Sequence, residues 1–189
     1  MNNYIKYFSI LFLIIVISYS CKKDKVTPPT PEEPVVALFG EVDVLLNGTP
    51  YLLQTGARES PIEGKFSLYF EELNVSGIVA RRNLSFTGVE KKVGTVGLES
   101  SDTNPDYPYA SFDIRLYDGD VFGDYYEVLE IGTLNNTLTI DSIDATTNEI
   151  WGSFDVTVVR DTSDIKKDLT FPDTLHFSEG VFHTKIFPR

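Results

Sequence analysis

The chain has 189 residues and a formal net charge of −12, with 17 Val and 17 Thr against 5 Ala, 1 Gln and 1 Met, and 24 aromatic residues. Residues that favour strands dominate and straight-chain helix formers are scarce, which excludes a helical bundle. A single cysteine excludes a disulfide framework and Cys-ligated zinc, and the acidic balance excludes nucleic-acid binding, which needs surplus Lys and Arg.

In chain order, residues 1–20 predict an export signal. Lys6 supplies a positive start, and Tyr7 to Ile17 form an apolar run of 11 residues broken only by Ser9. That is the length of a signal-peptide core and short of the ~20 residues that span a bilayer. Ser20-Cys21, directly after this core, resembles the bacterial lipobox, with Ser18 where that motif usually carries Leu. The resemblance implies cleavage before Cys21 and acylation of its thiol and new amine, hence attachment to a membrane through Cys21. Residues 22–37 carry four prolines and six charges that cancel. With Cys21 they predict an extended tether, residues 21–37, reaching about 50 Å at ~3.1 Å per residue. The excess acidity falls on a domain over residues 38–189, with 12 Lys/Arg against 25 Asp/Glu.

From Leu38 the hydrophobic period is two. Val42 and Val44 alternate with Glu41 and Asp43, Asn47-Gly48 is a strong hairpin signal, and Tyr51-Leu52-Leu53 begins the return. Further alternating runs are Phe66/Leu68/Phe70, Leu84/Phe86, Phe112/Ile114/Leu116, Leu138/Ile140 and Phe154/Val156/Val158. Gly, Asn, Asp and Pro clusters punctuate them, as at Pro61–Gly64, Asp102–Pro108 and Asn135-Asn136. Roughly ten short strands predict an all-β fold, an antiparallel β-sandwich or barrel.

A Gly-x-Phe pattern recurs at Gly64-Lys65-Phe66, Gly152-Ser153-Phe154 and Gly180-Val181-Phe182. The segment around Gly152 and the stretch Leu175–Phe182 resemble the "G-[ST]-F" strand and closing hairpin of small lipoproteins of the Bacteroidota. The stretch Val42–Tyr51 resembles their opening hairpin. The resemblance implies a β-rich protein held in the cell envelope, with Lys22 compatible with the outer membrane, and it implies no activity.

Several residues are candidates for contact or chemistry. Counting from Phe154 and Val156 places Trp151 on the polar phase with Ser153, Asp155 and Thr157, where an exposed indole beside carboxylates suits a sugar ring or an apolar ligand. Tyr107 and Tyr109, beside Asp106, form a second aromatic and acidic cluster. Asp118, Asp120 and Asp124 offer oxygen ligands for a hard cation, although Phe122 and Leu129 occupy places where a calcium loop needs oxygen. A two-residue turn at Glu179-Gly180 would set His176 opposite His183, whereas a three-residue loop with a Gly bulge breaks that register. Ser163-Asp164-Ile165-Lys166 spells S-x-x-K without the two further motifs of that fold. The triplets at Asp141-Ser142-Ile143 and Asp173-Thr174-Leu175 resemble the D-[ST]-apolar O-glycosylation acceptor of Bacteroidota, which nominates Ser142 and Thr174. No nucleophile, zinc or phosphate-loop motif is present, so neither a cofactor nor a metal is expected. The first reading is an envelope-anchored, non-enzymatic binding module for a glycan, a protein or an apolar ligand, touched by Trp151, Tyr107 and Tyr109. The alternatives are a carbohydrate-active enzyme using paired carboxylates and a passive structural subunit of a surface assembly.

Overall fold

The computed structural model describes residues 38–74, 79–100, 107–117, 121–128 and 136–189. The predicted signal and tether, Cys21 included, lie outside them, as do Asp106, Asp118 and Asp120. Among the described residues, eleven strands follow in chain order: β1 (Glu41–Leu46), β2 (Thr49–Pro50), β3 (Gln54–Glu59), β4 (Lys65–Leu73), β5 (Ala80–Glu90), β6 (Gly94–Gly97), β7 (Tyr109–Leu116), β8 (Val121–Val128), β9 (Thr137–Asp144), β10 (Glu149–Arg160) and β11 (Thr174–Phe187). The domain is all-β, as its composition requires.

The pairings form two facing sheets joined at two corners. One sheet runs β2-β1-β11-β10-β9-β6 and the other β3-β4-β5-β7-β8. They meet where β10 leaves β9 and pairs with β8 at Val158–Arg160, and where the end of β11 reaches β3 at Ile186 and Phe187. The result is a flattened barrel. The second corner is parallel, a departure from a purely antiparallel expectation, and the chain path explains it. β2 reverses β1 through the Asn47-Gly48 turn, whose residues sit at φ 50° and 77°. Tyr51–Leu53 carry that direction onward into β3, so β3 runs with β11 rather than against it.

Strands β10 and β11 are 12 and 14 residues long, not short. The closing hairpin expected over Leu175–Phe182 is absent: β11 passes through Glu179-Gly180 as one strand. Its buried residues change parity there, from Leu175 and Phe177 to Phe182 and Ile186. A turn or a bulge can absorb such a change, and here Glu179, at φ 55°, is the extra residue. β10 advances from Phe154 to Val156 while β11 retreats from Gly180 to Phe177. A bulge keeps both halves of the strand on the same core.

The core lies between the sheets. Phe70 and Phe86 of one sheet pack on Phe154 of the other at ring separations of 4.9 and 5.2 Å, and Phe70 meets Phe182 at 5.5 Å. The Gly-x-Phe repeat explains how bulky rings fit there. The β10–β11 register sets Gly152 opposite Phe182 and Phe154 opposite Gly180. A Cβ on Gly180 would stand 2.6 Å from the Phe154 ring, and one on Gly152 would stand 2.6 Å from the Phe182 ring. Each glycine thus provides the space that the opposite phenylalanine fills.

One end of the barrel is closed by residues 161–173. Phe171 packs on Phe112 at 6.0 Å, and Arg82 sits over the Phe171 ring at 4.7 Å. The Tyr126 hydroxyl donates to the Pro172 carbonyl at 3.1 Å, and burial pushes its pKa up to about 12, with Asp124 and Asp173 adding to the shift. Thr157, expected on the exposed phase, is buried because the chain entering β9 crosses it: the Asn136 side-chain oxygen accepts its N–H at 2.8 Å.

Candidate functional site: an aromatic platform on the outer sheet face

Trp151 stands on the outer face of the six-stranded sheet and is 36% exposed. Its indole is stacked on the His183 ring, with centroids 4.5 Å apart and planes within 4°. Register produces this pair. The β10–β11 ladder puts His183 directly opposite Trp151, and the β9–β10 ladder puts Ser142 opposite it on the other side. His183 therefore backs one face of the indole, while the small Ser142 leaves the other face open above β9.

The support is itself held. His183 Nε2 lies 2.9 Å from a Glu149 carboxylate oxygen, and Phe39 meets the imidazole edge-on at 5.7 Å. Phe39 reaches that position through Gly40, which has φ 101° and whose Cβ, if it had one, would stand 1.8 Å from the His183 carbonyl oxygen. Only glycine lets the chain cross β11 so closely. The Thr184 hydroxyl donates to the Phe39 carbonyl at 2.7 Å and fixes the crossing from the core side. Beside the open face stand hydroxyl groups: Ser153 on β10, and Thr139 bonded to Thr95 at 2.8 Å. An apolar indole wall, a rigid backing and a floor of hydroxyls together suit a flat ligand with one apolar face and polar edges.

No family model, curated protein or solved structure matches this chain.

The other candidate residues fall elsewhere. Tyr107 is half exposed and borders an open cleft of about 300 Å³ with Val89, Val96, Pro108 and Ile140. Ile140 points into the core, so this cleft lies between the sheets, at the barrel end away from residues 161–173. Trp151 belongs to a different surface. Tyr109 opens β7 opposite Thr87 and is half buried. Ser142 and Thr174 are both exposed, the first beside Trp151 and the second at the start of β11.

The histidines do not form a pair. They lie seven residues apart on one strand, and each has its own carboxylate: His176 Nε2 is 2.9 Å from Asp155, as His183 is from Glu149. Asp124 is buried, and its carboxylate accepts the backbone N–H groups of Lys167 at 3.0 Å and Asp168 at 2.6 Å. Its oxygens anchor the closing loop instead of facing solvent. Ser163 and Lys166 are tied within the same loop, to Asp161 and Asp173 respectively. Among the described residues, no group of three or more His, Cys, Asp or Glu is placed to hold a metal.

One cluster escaped the reading of the sequence. Arg82 Nη1 donates to both oxygens of Glu72, at 2.6 and 2.7 Å, and the Tyr51 hydroxyl donates to the same carboxylate at 2.5 Å. Burial and the Glu72 carboxylate push the Tyr51 pKa far above the usual phenol value. Burial works against the Arg82 charge, but the bond to Glu72 and the nearby Tyr51 and Asp168 raise its pKa. The signal was present in the sequence, since Glu72 and Arg82 occupy the inward phases of β4 and β5. The network is internally satisfied and lies under the closing loop, so it serves the fold.

Proposed function

We propose that the protein is an outer-membrane lipoprotein, anchored through acylated Cys21, whose β domain binds a glycan on the Trp151–His183 platform without transforming it. The observation that carries this reading is an exposed indole, stiffened from behind by a stacked imidazole and open in front. A mobile surface tryptophan would lose rotamer freedom on binding, and a stacked one has already lost it. The anchor is supported by the short apolar leader that ends at the lone cysteine, and the tether by its prolines.

Binding is tested with the full chain in detergent micelles against an oligosaccharide array, followed by titration of tryptophan emission. Trp151→Ala should lose binding at least ~tenfold while unfolding stability falls by only about 0.5–1.5 kcal/mol, the worth of the lost ring pair. Retained binding in that variant overturns the reading. Fractionation of cells carrying Cys21→Ala should move the protein from membrane to soluble fractions, and an unchanged distribution removes the anchor.

Ser142 and Thr174 stand as the proposed O-glycan acceptors. Peptide mass mapping of protein from its own host tests them, and unmodified peptides at both sites end that proposal. The cleft beside Tyr107 favours a second reading, an apolar small molecule held between the sheets, which native mass spectrometry of freshly purified protein would detect.

A further inference from the structure

This inference rests on the platform reading and names the class of ligand. Carboxylates stand around the indole: Asp141 and Asp144 on β9, Glu149 and Asp155 on its own strand β10, and, two strands away beyond β11, Glu41 and Asp43 on β1. Backbone N–H groups of Thr146 and Thr147 hold the Asp144 carboxyl below the usual carboxylate range, so it stays charged. Few cations oppose them. Lys185 lies opposite Glu149, Lys91 is bonded to the Asn148 side chain at 3.0 Å, and both histidines already face carboxylates.

Strands lie about 4.8 Å apart and residues rise ~3.4 Å along each, so Asp141, one strand over, and Glu149, two residues along β10, lie within one Debye length of the indole, ~8 Å at physiological ionic strength. A ligand seated on the open face meets that field with little screening. An uncharged saccharide carries no charge for that field to repel, and the hydroxyls of Ser142 and Ser153 accept its O–H groups. An anionic chain is repelled by the same groups.

We infer that the platform takes uncharged saccharides and rejects polyuronates and sulfated glycans, with Asp141, on β9 beside the open face, setting the selection. The full chain in detergent micelles is titrated by calorimetry with gluco-, manno- and cello-oligosaccharides and with an oligogalacturonate of matched length. At least one neutral oligomer should bind, and the oligogalacturonate should bind at least ~tenfold more weakly at ~0.05 M salt, with the gap narrowing at ~0.5 M. The variant Asp141→Asn should strengthen oligogalacturonate binding and leave the neutral oligomer within about twofold. Equal affinity for both classes, abolished by Trp151→Ala, overturns the charge selection and leaves the platform standing. No saccharide bound, or binding indifferent to Trp151→Ala, overturns the platform and this inference with it.

Discussion

Trp151 is the only tryptophan in the chain, so its emission reports on the platform alone. His183→Ala removes the ring that covers one indole face and admits water there. The emission maximum should shift to longer wavelength, and the folded state should lose about 0.5–1.5 kcal/mol, the worth of an aromatic pair. An unchanged spectrum would mean that the stack is not populated in solution. Glu71 gives a different residue-scale test. It is 7% exposed on the outer face of the five-stranded sheet. Burial raises its pKa above the usual carboxylate value, with Asp113 adding to the shift and Arg115 opposing it. The folded protein therefore holds this proton at pH values where the unfolded chain has released it. Stability contributed at this site falls as pH rises through that window, and the full cost is present above the folded-state pKa. Glu71→Gln should stabilise the domain against urea at pH ~7 and make no difference at pH ~3, below both pKa values. The reverse pattern would show that the charged form is the favoured one.

At the scale of elements, the reciprocal glycines and phenylalanines of β10 and β11 join the two longest strands. Gly180→Ala drives a methyl group into the Phe154 ring. Gly152→Ala meets the Thr139 carbonyl at 2.2 Å as well as Phe182. Each should cost about 1–3 kcal/mol as overpacking, read as a lower urea midpoint at constant slope. Phe154→Ala should cost about 3–5 kcal/mol, and Gly180→Ala should cost much less in a Phe154→Leu background, because the two sites share one volume. Additive costs would show that the ring and the glycine do not compete for space. The same strands mark where sequence reading succeeds and where it stops. Alternation in Phe66–Phe70 and Phe154–Val158 fixes which residues face inward, and Asn47-Gly48 fixes its hairpin, because both signals are local. The parity change at Ser178–Gly180 is also local, but it fits a turn and a bulge equally. What decides for the bulge is β1 and β10 flanking β11 on both edges, which is long-range information. Trp151 was placed on the outer face by phase alone. His183 as its partner depends on register between segments 32 residues apart, and Asp124 as a loop anchor depends on contacts 43 residues away.

For the whole molecule, the consequence of two corners is that neither sheet can separate from the other without breaking strand pairing. Two sheets held by side-chain packing alone could loosen one at a time, but here β10 and β11 each belong to both. Unfolding should then be a single transition, with amides of β3 and β10 exchanging at one common free energy. Ile186 tests this. It is 1% exposed at the parallel corner, opposite Ala57, and its side chain fills the junction of the sheets. Ile186→Ala should cost about 2–5 kcal/mol. In a closed ring that cost appears equally in the exchange of β3, β10 and the Trp151 platform, far from the substitution. Faster exchange confined to β3 and the end of β11 would mean that the corner is a dispensable contact and that the six-stranded sheet carrying the platform stands by itself.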